Sequence, residues 1–183
     1  MKRALLVIDV QNEYFTGAPV THPIGHLGKI LRPWTPRAGR RRPPTVVIRH
    51  AFPDPTTPFF LKGSHGWQLH PEVEARPPAP GRQGTPRQLH RHRSGSLAAC
   101  QDVDTVTIVG YMTHMCCDTT ARQAMHLGLK VEFLSDATGT LPVRNEAGEV
   151  TAEELHRAIL CAQQMMISEV LDTEAWVGRV EGA

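Results

Sequence analysis

The transition at Gly110 constrains the fold of this chain most. Residues 105–109 (TVTIV) are apolar and mostly β-branched, and residues 110–124 (GYMTHMCCDTTARQA) continue into helix-forming sequence. This pattern is typical of a strand–loop–helix junction, and it predicts Cys116 or Cys117 in the first helical turn at the carboxyl edge of a sheet. Ligands of α/β proteins bind at that edge. Because a helix dipole favours a thiolate, the pKa of a first-turn cysteine can fall from about 8.5 to roughly 3.5–7.5, which suits a nucleophile.

Strand-like and helix-like stretches alternate along the chain. Continuous apolar runs, as expected of strands buried on both faces of a parallel sheet, occur at residues 4–10, 45–49, 105–109 and 131–134, with a short last strand at 169–171. Helices are predicted at residues 115–127 and 151–167, the second beginning with the capping-box pattern TAEE. Strands separated by helical crossovers predict an α/β fold with a three-layer, doubly wound, mostly parallel sheet of five or six strands.

The length and the cysteine content indicate one domain with reduced thiols. A chain of 183 residues suits a single α/β domain over 1–183, and no run of 18 apolar residues predicts a membrane span. Because the first strand begins within a few residues of Met1, without a signal-peptide cleavage region, we expect a cytoplasmic protein. The four cysteines show no CxxC spacing, which favours free thiols over a disulfide framework.

Asp9 ends the first predicted strand and falls at the same sheet edge as Cys116. One interpretation is a carboxylate that caps the following turn. The other is a general base that takes the thiol proton and later passes it to a leaving group. From position alone, both interpretations remain open.

Five motifs together resemble one known family. They are LLVIDVQN at 5–12, GSHGWQLHPEV at 63–73, GYMTHMC at 110–116, LSDAT at 134–138 and AEELH at 152–156. These motifs resemble the isochorismatase-like cysteine hydrolases, a group that includes nicotinamidases, N-carbamoylsarcosine amidases and ureidoacrylate amidases. The resemblance covers most of the chain and implies a Rossmann-like, isochorismatase-like hydrolase. We expect it to cleave a small amide, carbamoyl or ureido C–N bond through a cysteine thioester.

The resemblance also assigns roles at the predicted site. Cys116 matches the family nucleophile and Asp9 the base, while Cys117 occupies a place usually held by a small apolar residue. The family carries a cis peptide before the nucleophile, which would join Tyr111 to Met112. By the same resemblance, the amides of Met112 and Cys116 would form the oxyanion hole.

The third member of the family's triad, a lysine before the third strand, is not found where it is expected. The chain has only four lysines, of which three lie in the wrong regions: Lys2, Lys29 and Lys130. Lys62 falls too early to match, although it or an arginine could reach the site from another direction. Without such a replacement, the alternative is a catalytically impaired family member that acts as a binding or oligomeric scaffold.

Two segments, 32–44 and 76–101, have an anomalous composition. Residues 32–44 and 76–93 hold eight of the chain's fifteen prolines, no acidic residue and ten of its twenty Lys and Arg residues: Arg32, Arg37, Arg40, Arg41, Arg42, Arg76, Arg82, Arg87, Arg91 and Arg93. The first segment falls where a crossover helix should end, and a proline inside a helix costs about 3 kcal/mol. Local sequence and global fold conflict here.

Three explanations compete for these segments. A basic, Pro-rich stretch can be a nucleic-acid arm, but interleaved aromatic residues are missing, and we expect no nucleic-acid partner. It can also be a disordered insert. The third explanation is a compensated reading-frame error: GC-rich codons for Arg82 to Cys100, read one base later, give GKALPGSFTGTDLAAWLRA. That product resembles the family and places the missing lysine at about Gln83.

The remaining expectations concern the pocket and its ligands. A small apolar substrate pocket is predicted from Tyr14, Phe15, Phe59, Trp67 and His114. Nicotinamidases bind zinc through an Asp-x-His arrangement with a further histidine, which the end of the second strand lacks. We therefore predict no metal and no cofactor. The expected partners are a small-molecule substrate and further copies of the chain, in a dimer or larger homo-oligomer, with no membrane.

Overall fold

The computed structural model describes residues 2–35, 43–52, 54, 56–76 and 103–182. The two Arg/Pro-rich segments fall largely between these ranges. The predicted lysine position near Gln83 therefore lies outside the described residues, and the reading-frame hypothesis stays a prediction.

A five-stranded parallel sheet forms the centre of the molecule. Its strands are β1 (Arg3–Ile8), β2 (Thr45–Ile48), β3 (Thr105–Tyr111), β4 (Lys130–Gly139) and β7 (Glu169–Leu171), and they lie in the order β2-β1-β3-β4-β7. β1 pairs with both β2 and β3, so that Leu5 lies opposite Thr45 on one side and Thr107 on the other. A hairpin of β5 (Val143–Asn145) and β6 (Gly148–Val150) stands apart from the sheet. The predicted doubly wound α/β fold is confirmed.

Helices cover both faces of the sheet. They are α1 (His26–Leu31), α2 (Pro71–Glu74), α3 (Asp118–His126), α4 (Ala152–Met166) and α5 (Thr173–Glu181), with π-helical turns at Glu13–Gly17 and Thr113–Cys117. The predicted capping box of α4 is present, since the Thr151 side chain accepts from the Glu154 amide and the Glu154 carboxylate accepts from the Thr151 amide. Within the described ranges, no helix has the length and apolarity to cross a membrane.

The core consists of two clusters, one on each side of the sheet. Because side chains alternate along a strand, Leu5 and Val7 of β1 enter one cluster, and Leu6 and Ile8 enter the other. Residues of α1 and α5 complete the first cluster, and residues of α3 complete the second. With both faces covered, the carboxyl edge of the sheet is left for the site.

Two predicted boundaries differ from the structure. The helix expected from residue 115 begins as the π-helical turn Thr113–Cys117, and α3 starts only at Asp118. β4 continues to Gly139 instead of ending at Leu134, because its pairing with β3 shifts register between Ile108 and Gly110. Such a bulge interrupts the apolar pattern from which the strand was predicted.

Gly110 allows β3 to lie against β1 at this edge. Its φ is +117°, and a Cβ added there would lie 2.0 Å from the carbonyl oxygen of Ile8. The obstacle is backbone, which cannot move aside as a side-chain end can. Glycine is therefore required at this point, close to where β1 leads into Asp9 and β3 leads toward Cys116.

Candidate active site

Three chemically different side chains meet at the carboxyl edge of the sheet. Asp9 follows β1, His50 follows β2 and Cys116 follows β3. A carboxylate oxygen of Asp9, a ring nitrogen of His50 and Sγ of Cys116 all lie within 4.8 Å of one another. The two residues that the sequence analysis paired are thus adjacent, and an imidazole accompanies them.

The backbone around Asp9 holds its carboxylate in place. Asp9 is 2% exposed and has a φ of +51°, a conformation that costs a non-glycine residue of order 1–3 kcal/mol. Its amide donates to the carbonyl of Ile48 (3.0 Å), and its own carbonyl accepts from the amide of Gln11 (2.9 Å). These bonds tie the Asp9 peptide to the end of β2 and to the following turn.

The structure distinguishes the two adjacent cysteines. Cys117 is fully buried and packs in the second core cluster, whereas Cys116 is half-buried. The amides of Met115 and Cys117 donate to the carbonyl of Met112 at 3.0 and 3.2 Å, which closes the π-helical turn. The peptide between Tyr111 and Met112 is cis. Of these two adjacent cysteines, Cys116 is the one that is partly open to solvent, and its Sγ lies within 4.8 Å of an Asp9 carboxylate oxygen.

Tyr14 lies beside this pair. Burial chiefly raises the pKa of its phenol above the ordinary value, and negative charge on Asp9 and Cys116 raises the pKa further. The Tyr14 ring meets the rings of Tyr111 and Phe60 with centroids 5.2 and 5.1 Å apart. The Tyr14 hydroxyl is therefore protonated, and the rings of Tyr14, Phe60 and Tyr111 form an aromatic wall.

The other predicted pocket residues take different positions. Phe15 packs against His70 with ring centroids 4.4 Å apart, whereas Phe59 is 48% exposed. Trp67 carries the guanidinium of Arg49 over its ring at 3.7 Å. His114 is half-buried, and its Nδ1 lies 2.8 Å from the hydroxyl of Thr140. Burial lowers the pKa of His114, so the imidazole is neutral at pH 7.

His26 and Tyr111 extend the aromatic wall. The His26 Nδ1 and the Tyr111 hydroxyl are hydrogen-bonded, and the two rings meet edge to face at 5.1 Å. Burial lowers the pKa of His26 and raises the pKa of Tyr111. Both groups are therefore neutral, and the phenol donates to the ring nitrogen.

His156 of α4 fixes the turn that precedes the nucleophile. Its Nε2 lies 2.8 Å from the carbonyl of Ser135, so that nitrogen donates, and Nδ1 accepts from the hydroxyl of Thr113 at 2.9 Å. Burial is the main cause that lowers the pKa of His156, and the charge of His22 lowers it further. The motif at 152–156 contains this histidine, but no spacing or pattern connects it with Thr113 before the fold is known.

His50 is the second residue that sequence reasoning missed. The fully buried amide side chain of Gln11 donates to the His50 carbonyl (2.9 Å) and accepts from the His50 amide (2.8 Å). The imidazole meets Phe52 and Phe60 edge to face at 4.6 and 5.4 Å. One signal was available: His50 follows β2 as Asp9 follows β1, and parallel strands end at the same edge.

The third member of the triad stays a prediction, and two lysines have defined surroundings. Lys62 is exposed, and in the part of the chain that the structure describes it forms no ion pair. Lys29 of α1 forms an ion pair with Asp136 of β4, with Nζ 3.3 Å from the carboxylate oxygen.

A parallel, doubly wound sheet with a thiol, a carboxylate and an imidazole at its carboxyl edge is an α/β fold with a candidate site at that edge. The family model named isochorismatase domain matches residues 3–174. The chain belongs to the isochorismatase family of hydrolases.

Known relatives extend over nearly all of the chain. An isochorismatase family protein of Bacillus subtilis (strain 168), YddQ, is 28% identical over 97% of this chain and 99% of its own length. Nicotinamidase 3 of Arabidopsis thaliana is 29% identical over 86% of this chain and 78% of its own. A protein of Burkholderia xenovorans LB400, solved as a candidate isochorismatase, superposes with a TM-score of 0.82 at 36% identity, covering 99% of this chain and 88% of its own.

Proposed function

We propose that this chain is a cysteine-dependent hydrolase that cleaves a small amide, carbamoyl or ureido C–N bond. The observation that carries the proposal is the convergence of Cys116 Sγ and the Asp9 carboxylate within 4.8 Å at the sheet edge. The name of the Arabidopsis relative, a nicotinamidase, supports an amide as the scissile group.

The proposed reaction has two halves. Asp9 accepts the Cys116 thiol proton, and the thiolate attacks the substrate carbonyl while the amides of Met112 and Cys116 stabilise the oxyanion. The C–N bond then breaks, and the Asp9 proton passes to the departing nitrogen, which leaves as ammonia or a larger amine. Water, deprotonated by Asp9, attacks the thioester and releases the acid and the free thiol.

His50 gives the proposed site a group that can carry positive charge. A thiolate next to a carboxylate needs a nearby cation, which the family lysine supplies by resemblance. An imidazole exchanges its proton near neutral pH, and its ring nitrogen lies within 4.8 Å of both partners. We infer that protonated His50 stabilises the Cys116 thiolate, whatever residues 77–102 contribute.

The aromatic wall indicates the size and character of the substrate. Tyr14 and Tyr111 are buried and uncharged, and Phe15 packs against Tyr111. Such walls favour a flat or apolar group next to the scissile carbonyl, while the Tyr14 hydroxyl supplies a hydrogen bond. The expected substrate is therefore a small uncharged molecule with a primary amide, carbamoyl or ureido group.

Ammonia release from purified protein tests the proposal. A panel of primary amides, carbamoyl compounds, ureido compounds and nicotinamide should contain at least one substrate. Cys116→Ala should abolish its turnover, whereas the matched change Cys117→Ala should leave most of it. The reverse result would show that the nucleophile is assigned wrongly. No turnover across the panel, together with an unreactive Cys116, would favour the scaffold alternative.

A further inference from the structure

The group formed by Asp9, His50 and Cys116 has the composition of a metal site. Carboxylate oxygen, imidazole nitrogen and thiolate sulfur are the three protein donors that zinc prefers. Three such donors from one protein leave a fourth tetrahedral position for water, as in zinc sites with an exchangeable ligand. Magnesium and calcium, which require oxygen ligands, do not suit this set.

The spacing of the three donor atoms is close to that of a tetrahedral ion. Bond lengths of about 2.0–2.3 Å place neighbouring ligand atoms roughly 3.3–3.6 Å apart. The donor atoms lie within 4.8 Å of one another. Each pair therefore has to approach by at most about 1.5 Å, which side-chain rotations of Asp9 and Cys116 can provide.

The supports behind the donors resemble the outer shell of a metal site. Gln11 fixes the His50 peptide through two hydrogen bonds, and Phe52 and Phe60 hold the plane of its ring. The Asp9 peptide is fixed by the carbonyl of Ile48. These contacts restrict the His50 and Asp9 backbones, so the two side chains need little rearrangement of the main chain to bind an ion.

We propose that Asp9, His50 and Cys116 bind a thiophilic divalent cation of the zinc class, and that this ion inhibits the enzyme. Binding displaces the thiol proton to solvent and forms a metal–sulfur bond. The sulfur lone pair and the Asp9 carboxylate are then unavailable for attack and proton transfer. The ion is an inhibitor here, and its donor set includes the nucleophile, unlike the Asp-x-His arrangement of nicotinamidases. The inhibition rests on the proposed function, but the binding does not.

Cobalt(II) provides a direct optical test, since a thiolate ligand gives a sulfur-to-cobalt charge-transfer absorption. The titration uses the full chain with Cys100→Ser and Cys161→Ser, which leaves Cys116 and Cys117. We expect one cobalt per chain, displaced by zinc and unaffected by magnesium. Cys116→Ser should remove the absorption, and His50→Ala and Asp9→Asn should each weaken binding by more than about 100-fold. His126→Ala, a change at an exposed residue at the end of α3, should leave binding unchanged.

Other results would overturn the site. Charge-transfer absorption that survives in Cys116→Ser, or unchanged affinity in both His50→Ala and Asp9→Asn, would contradict it. Circular dichroism melting of each variant separates lost ligands from lost folding, and His50→Gln gives a second, milder variant. If cobalt binds as expected but no substrate is found, the site stands and the hydrolase proposal is at fault. If zinc does not affect Cys116-dependent turnover, the proposed inhibition is wrong and the hydrolase proposal stands.

Discussion

At the scale of residues, two members of the candidate site were named from the sequence and the third was not. Asp9 and Cys116 stand in motifs whose positions resemble a family, so the sequence indicated both. His50 carries no such signal by itself. The place of His50 depends on where β2 ends relative to β1. The register of the sheet determines this, since Val47 lies opposite Val7 and Ile48 lies opposite Ile8.

His50 gives a prediction at this scale. Replacement by glutamine keeps a polar side chain but removes the ability to carry positive charge. We expect kcat/KM to fall by at least about tenfold, because the thiolate loses its nearby cation. Steady-state kinetics on the substrate found in the ammonia screen measures this. The matched change His126→Gln should have no effect, and an equal loss in both variants would refute the role of His50.

At the scale of elements, the apolar strands were predicted well because burial on both sheet faces leaves a continuous hydrophobic run. The π-helical turn Thr113–Cys117 was not predicted, because five residues are too few for a periodicity that distinguishes a π-helix from an α-helix. β4 was also predicted too short. Its bulge lets Asp136 accept from the Thr173 amide and hydroxyl at 2.8 and 2.6 Å, and the Ser135 carbonyl accept from His156. Such contacts are set by tertiary structure, which the sequence pattern does not report.

Gly110 provides a prediction for the packing of β3 against β1. Gly110→Ala combines an unfavourable positive φ with a Cβ directed at the Ile8 backbone. We expect a loss of roughly 2 kcal/mol or more in the free energy of unfolding, measured by urea denaturation. Gly178→Ala in α5 is the matched control, because its added Cβ meets nothing within 4 Å. That change should stabilise by about 0.5–1 kcal/mol. Similar effects at both glycines would contradict the close approach.

His156 connects α4 to the nucleophile turn, and its protonation links stability to pH. Because burial lowers its pKa below 6.5, the unfolded chain binds a proton more readily than the folded chain. Its contribution to stability is therefore complete above about pH 6.5 and is lost as the pH falls below that value. In urea titrations between pH 7 and 5, His156→Gln should show a smaller decrease than the unmodified chain. Exposed His126→Gln should not, and an unchanged slope in His156→Gln would exclude this role.

At the scale of the whole molecule, the parallel five-stranded sheet with helices on both faces agrees with the sequence prediction. The Arg/Pro-rich segments do not fit this fold pattern, because their composition is unsuitable for the crossover helix that is expected there. Their residues 36–42 and 77–101 lie outside the described ranges, and the lysine near position 83 stays a prediction. The homo-oligomer also stays a prediction.

Intact mass spectrometry of the protein purified from its native source tests the reading-frame hypothesis. A compensated frame error predicts a mass that differs from that of the 183-residue chain, 20.3 kDa, and a peptide with lysine near position 83. A mass and peptide map that match the sequence would refute the hypothesis. His50 would then be the principal candidate for the positive charge among the described residues.

Alkylation with iodoacetamide at pH 6 tests, without a known substrate, whether Cys116 is an activated nucleophile. At this pH an ordinary thiol is almost fully protonated and reacts slowly. Cys161, which is free and exposed on α4, serves as a reference within the same chain. Peptide mapping over time should show Cys116 modified at least about tenfold faster than Cys161, with loss of activity in step. A Cys116 that reacts no faster than Cys161 would contradict the account.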